Sequence, residues 1–276
     1  MDIIANGVRL HYIETGKGKT VVCLHGLGLN KDLWRHLFPL LGRRYRTVAY
    51  DLRGLGKSEA PGRRGVAHTI DLHAEDLGAF LDGLAIKQTA FVAQAYGAFV
   101  TMRFAVKYPE RVNAMVIVNT SAMMGEPGIS QGLFRAATAE LDGMGPLLDV
   151  AMSRWFVEPI HRSQPEVIRF YREMLGSTPP MGYAANARSL AQWDFRSELG
   201  KIQCPTLVVS GKEDWSTPPA GHELIAKGIP KGRLVVVENA SHTVPEEQAD
   251  EFNRLTLDFL EQHMMKQDDR EKNHAH

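Results

Sequence analysis

Short apolar runs recur along this chain with helical patterns between them, and that rhythm restricts the fold more than any other feature. The runs cover residues 20–24, 47–50, 91–93, 114–118, 206–209 and 234–237. They are too short for helices and rich in β-branched residues. Residues 20–24 (TVVCL) have no polar position after Thr20, as in a strand buried on both faces. Ahead of them, residues 3–5 and 8–14 flank Asn6-Gly7, a strong hairpin signal. Residues 71–84 place Leu72, Leu77, Phe80, Leu81 and Leu84 at helical spacing. An antiparallel start followed by alternating strand and helix predicts an α/β fold, with a mostly parallel central sheet flanked by helices.

The rhythm breaks between residues 123 and 196. No buried-strand pattern appears there; aromatic and long side chains fall at helical spacings, broken at Gly143, Gly145, Pro146, Pro159 and Pro179-Pro180. We read this segment as a helical cap inserted into a core formed by residues 1–122 and 197–265. Residues 266–276 are charged and almost free of apolar side chains, which predicts a disordered tail.

Function classes can then be excluded on charge. Lys plus Arg and Asp plus Glu both number 32 of 276 residues, so no electrostatic footprint for nucleic acid or an anionic membrane is present. No apolar stretch approaches a membrane span, and residues 1–7 do not read as a signal peptide. A cytoplasmic location is expected. Cys23 and Cys204 lie in or beside apolar runs and read as buried thiols. The oligomeric state is left open.

The chemistry centres on FVAQAYGAFV, residues 91–100. It reads as a strand, a tight turn with small residues on either side of its apex, and a helix. This is the shape of an elbow that presents a nucleophile. The apex is Ala95, which has no nucleophilic atom. Other strand ends add candidates, because ligands in open α/β sheets bind beyond the carboxyl ends of strands. His25-Gly26-Leu27-Gly28 allows close backbone approach and can offer an N–H to an oxyanion, together with the residue after the apex. The loop 51–58 (DLRGLGKS) resembles a phosphate loop but lacks its glycine pattern and a following helix, so it reads as structural. Glu213 and Asp214 both qualify as the carboxylate that holds a histidine. His242 follows the last strand. Apex, acid and histidine thus occur in α/β-hydrolase order.

Over residues 3–262 the chain resembles the α/β-hydrolase superfamily, and within it the 3-oxoadipate enol-lactonases. The resemblance rests on YDLRGLGKSEAP (50–61), YPERVNAMVIVNTSA (108–122), RWF (154–156), STPPMGYAA (177–185) and STPPAGHELIA (216–226). It implies hydrolysis of a five-membered enol lactone in the bacterial breakdown of aromatic acids, with no metal or cofactor. It makes Asp214 the acid and His242 the base, with the oxyanion hole formed by the backbone N–H groups of Leu27 and Tyr96. Arg154 and Trp155 would face the substrate, a small ester or lactone that can carry a carboxylate. Ala95 stands where the family has serine, and Ala93 and Ala98 where glycine is more usual.

Three readings of Ala95 follow. The chain is a hydrolase whose serine has been replaced by alanine; or Ala95 is natural and His242 with Asp214 abstracts a proton without a nucleophile; or the protein binds a ligand without chemistry. Met123, Phe134, Trp155, Phe156 and Trp193 suggest an apolar pocket, although at least half of them are expected to pack the cap onto the core. Arg135, Arg154 and Arg188 are candidates to bind a substrate carboxylate.

Overall fold

The computed structural model describes residues 1–264. The predicted tail at 266–276 lies outside the described residues. Eight strands form one sheet in the order β1-β2-β4-β3-β5-β6-β7-β8. They are β1 (Asp2–Ala5), β2 (Val8–Thr15), β3 (Thr20–Leu24), β4 (Arg46–Tyr50), β5 (Thr89–Gln94), β6 (Val112–Val118), β7 (Thr206–Gly211) and β8 (Gly232–Val237). β2 pairs antiparallel with both β1 and β4, and the remaining neighbours are parallel. Every strand read from the sequence is present, most of them one or two residues longer.

Alternation along the central strands gives each face of the sheet its own core. Val22 and Leu24 join Phe91, Met115 and Ile117 on one face. Val21 and Cys23 join Val92 and Val116 on the other. Helices α1 (Ile70–Gly83) and α2 (Tyr96–Lys107) cover the first face through Leu77, Phe80 and Phe104. Residues 249–264 form the last helix and cover the second through Phe252 and Leu260. Full burial of one such side chain contributes about 1.5–3 kcal/mol. Cys23 and Cys204 are both free, buried, and in different clusters.

Between β6 and β7 the chain forms helices 126–142, 148–155, 158–163, 165–176 and 180–189. The two ends of this segment meet. Met123 and Asp194 form a β-bridge, Met124 N–H donates to Trp193 O at 3.0 Å, and Phe195 N–H donates to Ala122 O at 2.7 Å. A single bridge requires no apolar run, so hydrophobic periodicity did not announce it. The segment also packs tightly on the loop after β4. A Cβ on Gly182 would lie 1.8 Å from Gly54 O, so no other residue fits there. That loop is structural, as read: Asp51 accepts hydrogen bonds from the Lys31 and Lys57 N–H groups, both at 2.8 Å.

The order of β4, β3 and β5 brings the loops after β3 and β5 side by side. This is the kind of switch point where an open sheet offers a crevice.

Candidate active site

Ala95 caps the N-terminus of α2 with φ 46° and ψ −109°. An L-residue with a Cβ is costly there, on the order of 1–3 kcal/mol, and persists only when its surroundings impose it. They do so here. Ala95 N–H donates to Val118 O at 3.0 Å, and Thr120 Oγ1 donates to Ala95 O at 3.1 Å. Gly97 lets the helix press against β3, since a Cβ would come within 2.7 Å of Leu24 O and His25 O. Tyr96 begins the helix, so its N–H is among those left without an intrahelical acceptor, at the positive end of the dipole.

The loop holding Leu27 is anchored by His25. Its Nδ1 donates to Gly26 O at 2.8 Å and its Nε2 accepts from Leu52 N–H at 3.0 Å. The accepting Nε2 requires the neutral ring, and burial lowers the His25 pKa accordingly.

His242 Nδ1 lies 3.0 and 3.2 Å from the two oxygens of Asp214. Asp214 also accepts from Ser216 N–H at 2.8 Å, Thr217 N–H at 2.9 Å, Thr217 Oγ1 at 2.6 Å and Asn119 Nδ2 at 2.8 Å. Burial pushes its carboxyl upward, but the pairing with His242 and the Thr217 donors outweigh this and hold it well below the usual carboxylate range. Glu213 turns away and accepts from Ala240 N–H at 3.1 Å. With Nδ1–H committed to Asp214, the basic nitrogen of His242 is Nε2.

The backbone around His242 is tied to the inserted helices. His242 N–H and Thr243 Oγ1 both donate to Trp155 O, at 3.1 and 2.9 Å, and Ser241 Oγ donates to Arg154 O at 3.0 Å. Buried Glu247 accepts from Val157 N–H at 2.7 Å and Ser241 N–H at 2.8 Å, joining the same two regions. Gln94, next to the apex, donates to His242 O at 2.7 Å.

A cavity of about 90 Å³ brings together Ala95, Tyr96, Leu27, His242, Trp155 and Arg135. A second, of about 390 Å³, adjoins it; Arg135, Trp155, Tyr183 and Ser216 line both. The three arginines separate clearly. Arg188 is held by both oxygens of Glu140, at 2.6 and 2.7 Å. Arg154, expected to face the substrate, lines only the outer cavity, and its Nη1 donates to Gln131 at 2.7 Å. A helix directs neighbouring side chains about 100° apart, so Trp155 reaches the inner cavity and Arg154 does not. Arg135 lines the inner cavity, and its buried Nε has no hydrogen-bond partner among the described residues.

Of the aromatic candidates, Trp155 and Phe134 line cavities at the site. Trp193 instead stacks between Phe99 and Phe195, and Phe156 packs edge-on to Tyr171. Met123 forms the bridge, and its neighbour Met124 reaches the cavity. Asn119, Thr217 and Tyr183 were missed as site residues. Asn119 directly follows β6, so the strand-end rule used for the other loops would have found it. The other two lie within motifs quoted above.

Comparison with known proteins agrees with this fold. The family described as the alpha/beta hydrolase fold matches residues 19–249. The chain belongs to the α/β-hydrolase fold family. This hydrolase-family chain is 30% identical over 253 residues to "3-oxoadipate enol-lactonase 2" of Acinetobacter baylyi, covering 91% of this chain and 92% of the relative. It is 33% identical over 271 residues to "2-hydroxy-6-oxononadienedioate/2-hydroxy-6-oxononatrienedioate hydrolase 2" of Pseudomonas putida, covering 92% of each. The solved enol-lactonase from Burkholderia xenovorans superposes with a TM-score of 0.89 at 30% identity, over 94% of this chain and 99% of that one. Among the described residues, no helix is long and apolar enough to cross a membrane.

Proposed function

We propose that this chain is a carboxylic-ester or lactone hydrolase of the enol-lactonase type, with Ala95 in the nucleophile's place. The observation that carries the reading is a strained, positive-φ Ala95 opening into the cavity of His242, whose Nδ1 is held by Asp214. A serine there would pass its proton to His242 Nε2 as its Oγ attacks the scissile carbonyl. The Leu27 and Tyr96 N–H groups would receive the developing oxyanion. Residues 123–196 act as the cap, and residues 1–122 and 197–265 as the core. Arg135 is the residue we assign to a substrate carboxylate. The names of both relatives contain a dicarboxylate, oxoadipate and nonadienedioate, which supports an acidic substrate. No cofactor takes part in these steps. Two free, buried thiols accord with a cytoplasmic setting.

Loss of the serine from a comparable triad costs on the order of a millionfold in kcat. Ala95→Ser is therefore expected to gain several orders of magnitude against an activated ester and an enol lactone. No gain, in a protein that melts like the parent and still binds lactone, would refute the reading.

One observation favours a second reading. The His242–Asp214 pair is complete without a nucleophile, which suits proton abstraction from a bound substrate. Turnover of a carbon acid by the Ala95 form, abolished by His242→Ala, would establish it.

A further inference from the structure

One buried face of the helix at residues 180–189 carries Gly182, Asn186 and Ser189, spaced four and three residues apart. Gly182 lies against the loop after β4, as described above. Asn186 is fully buried; its Nδ2 donates to Arg53 O at 2.8 Å, and its Oδ1 accepts from His68 Nδ1 and from His73 Nε2 of α1, both at 2.8 Å. A shift of the helix would leave these buried groups unpaired, and that cost fixes its position on the core.

The same face reaches the residue after the elbow apex. Ser189 Oγ donates to Asn186 O at 2.7 Å. A hydroxyl has one hydrogen, so in the 2.8 Å contact between Ser189 Oγ and the Tyr96 hydroxyl, Tyr96 is the donor. The Tyr96 ring is buried and stands edge-on to His73, with 5.4 Å between ring centroids. Tyr96 is therefore held twice: its backbone by the elbow, its hydroxyl by a helix of the inserted segment.

We propose that Ser189 is a positioning residue for the oxyanion hole, fixing the direction of the Tyr96 N–H through the Tyr96 hydroxyl. This rests on the hydrolase reading above and deepens it: one inserted helix supports the chemistry of the core without lining the cavity around Ala95. An oxyanion donor acts only within a few tenths of an ångström of its proper distance, so a ring anchored at its far end limits the drift of the N–H at its base.

The test is made in the Ala95→Ser form. Tyr96→Phe removes the donor of the contact and Ser189→Ala its acceptor. Each is expected to lower kcat for an activated ester about tenfold and to leave KM within about twofold, since displacing an oxyanion donor costs part of the roughly hundred- to thousandfold lost on removing one. The double variant is expected to fall no further than either single one, because both break the same contact. Should Ser189→Ala fail to fold, Tyr96→Phe tests the contact from the other side. Arg188→Gln is the control. It breaks the pairing with Glu140 on the same helix, makes no change at Tyr96, and is expected to leave kcat unchanged. Unchanged kcat in Tyr96→Phe, falls that multiply in the double variant, or an equal fall in Arg188→Gln overturns the positioning role and leaves the hydrolase reading intact. An Ala95→Ser form without activity overturns both.

Discussion

The core half of the site and the helical half are built in opposite ways. In the core, Ala95, Asp214 and His242 each stand at a strand end and are over-determined. Asp214 alone receives six hydrogen-bond contacts of 2.6–3.2 Å, from Asn119, Ser216, Thr217 and His242. In the helices, Arg135 has a buried Nε with no hydrogen-bond partner among the described residues, and Phe134 stands 71% exposed beside the outer cavity. A reacting constellation must be held to within about half an ångström, and attachment close to strand ends supports that. Helices laid over them can keep polar and apolar groups uncommitted until a substrate arrives. The difference predicts that core substitutions act on kcat and those of helical residues lining the cavities on substrate preference.

The largest effect that could break this comparison lies at Asp214. In the Ala95→Ser form, Asp214→Asn is expected to lower kcat by roughly ten-thousandfold, because His242 loses the partner that sets its tautomer. A steady-state loss below tenfold would mean that the core does not depend on this pairing.

At the next scale the helices are tested against one another. Arg135→Ala in the same form is expected to raise KM for an acidic ester about ten- to a hundredfold more than for its neutral counterpart. Arg154→Ala is expected to produce a smaller difference. If the two exchange order, the inner-cavity assignment of Arg135 fails.

The smallest effect concerns stability. His222 is buried in the core, where its Nε2 accepts from Thr120 N–H at 2.8 Å, and burial lowers its pKa from 6.5 to about 4. A depressed histidine contributes stability that is present above the unfolded pKa of 6.5 and lost as pH falls towards 4. At pH 5 this amounts to about 2 kcal/mol. Glu247, raised by burial to about 7, acts in the opposite direction over the same window. The measurement is therefore a difference: denaturant titrations of the parent and His222→Gln at pH 7 and pH 5. The variant is expected to lose about 2 kcal/mol less than the parent on acidification. Identical losses would remove His222 as a source of acid sensitivity.

Much of the fold was legible because periodicity reports the path of the backbone. All the strand runs, the helix near 71–84, the elbow and the interruption at 123–196 came from local pattern. The bridge between Met123 and Asp194 did not, since it is one contact between residues far apart in sequence. At the site, the apex at Ala95 and the histidine at His242 could be read from their positions after strands. Asp214 and Glu213 were equal on charge, and only the family resemblance favoured Asp214. In space one faces His242 and the other Ala240, because consecutive residues leaving a strand point in different directions.

By itself, then, the sequence determined the order of strands and helices, the turn that exposes residue 95, and the order of apex, acid and histidine. These depend on local backbone preference and on which residues must be buried. Only the tertiary structure decided that Arg135 rather than Arg154 enters the inner cavity, that Asn119 supports Asp214 from 95 residues away, and that Arg188 is committed to Glu140. Those outcomes depend on which face of one helix meets a loop from elsewhere in the chain, and that contact exists only once the helices have packed over the sheet.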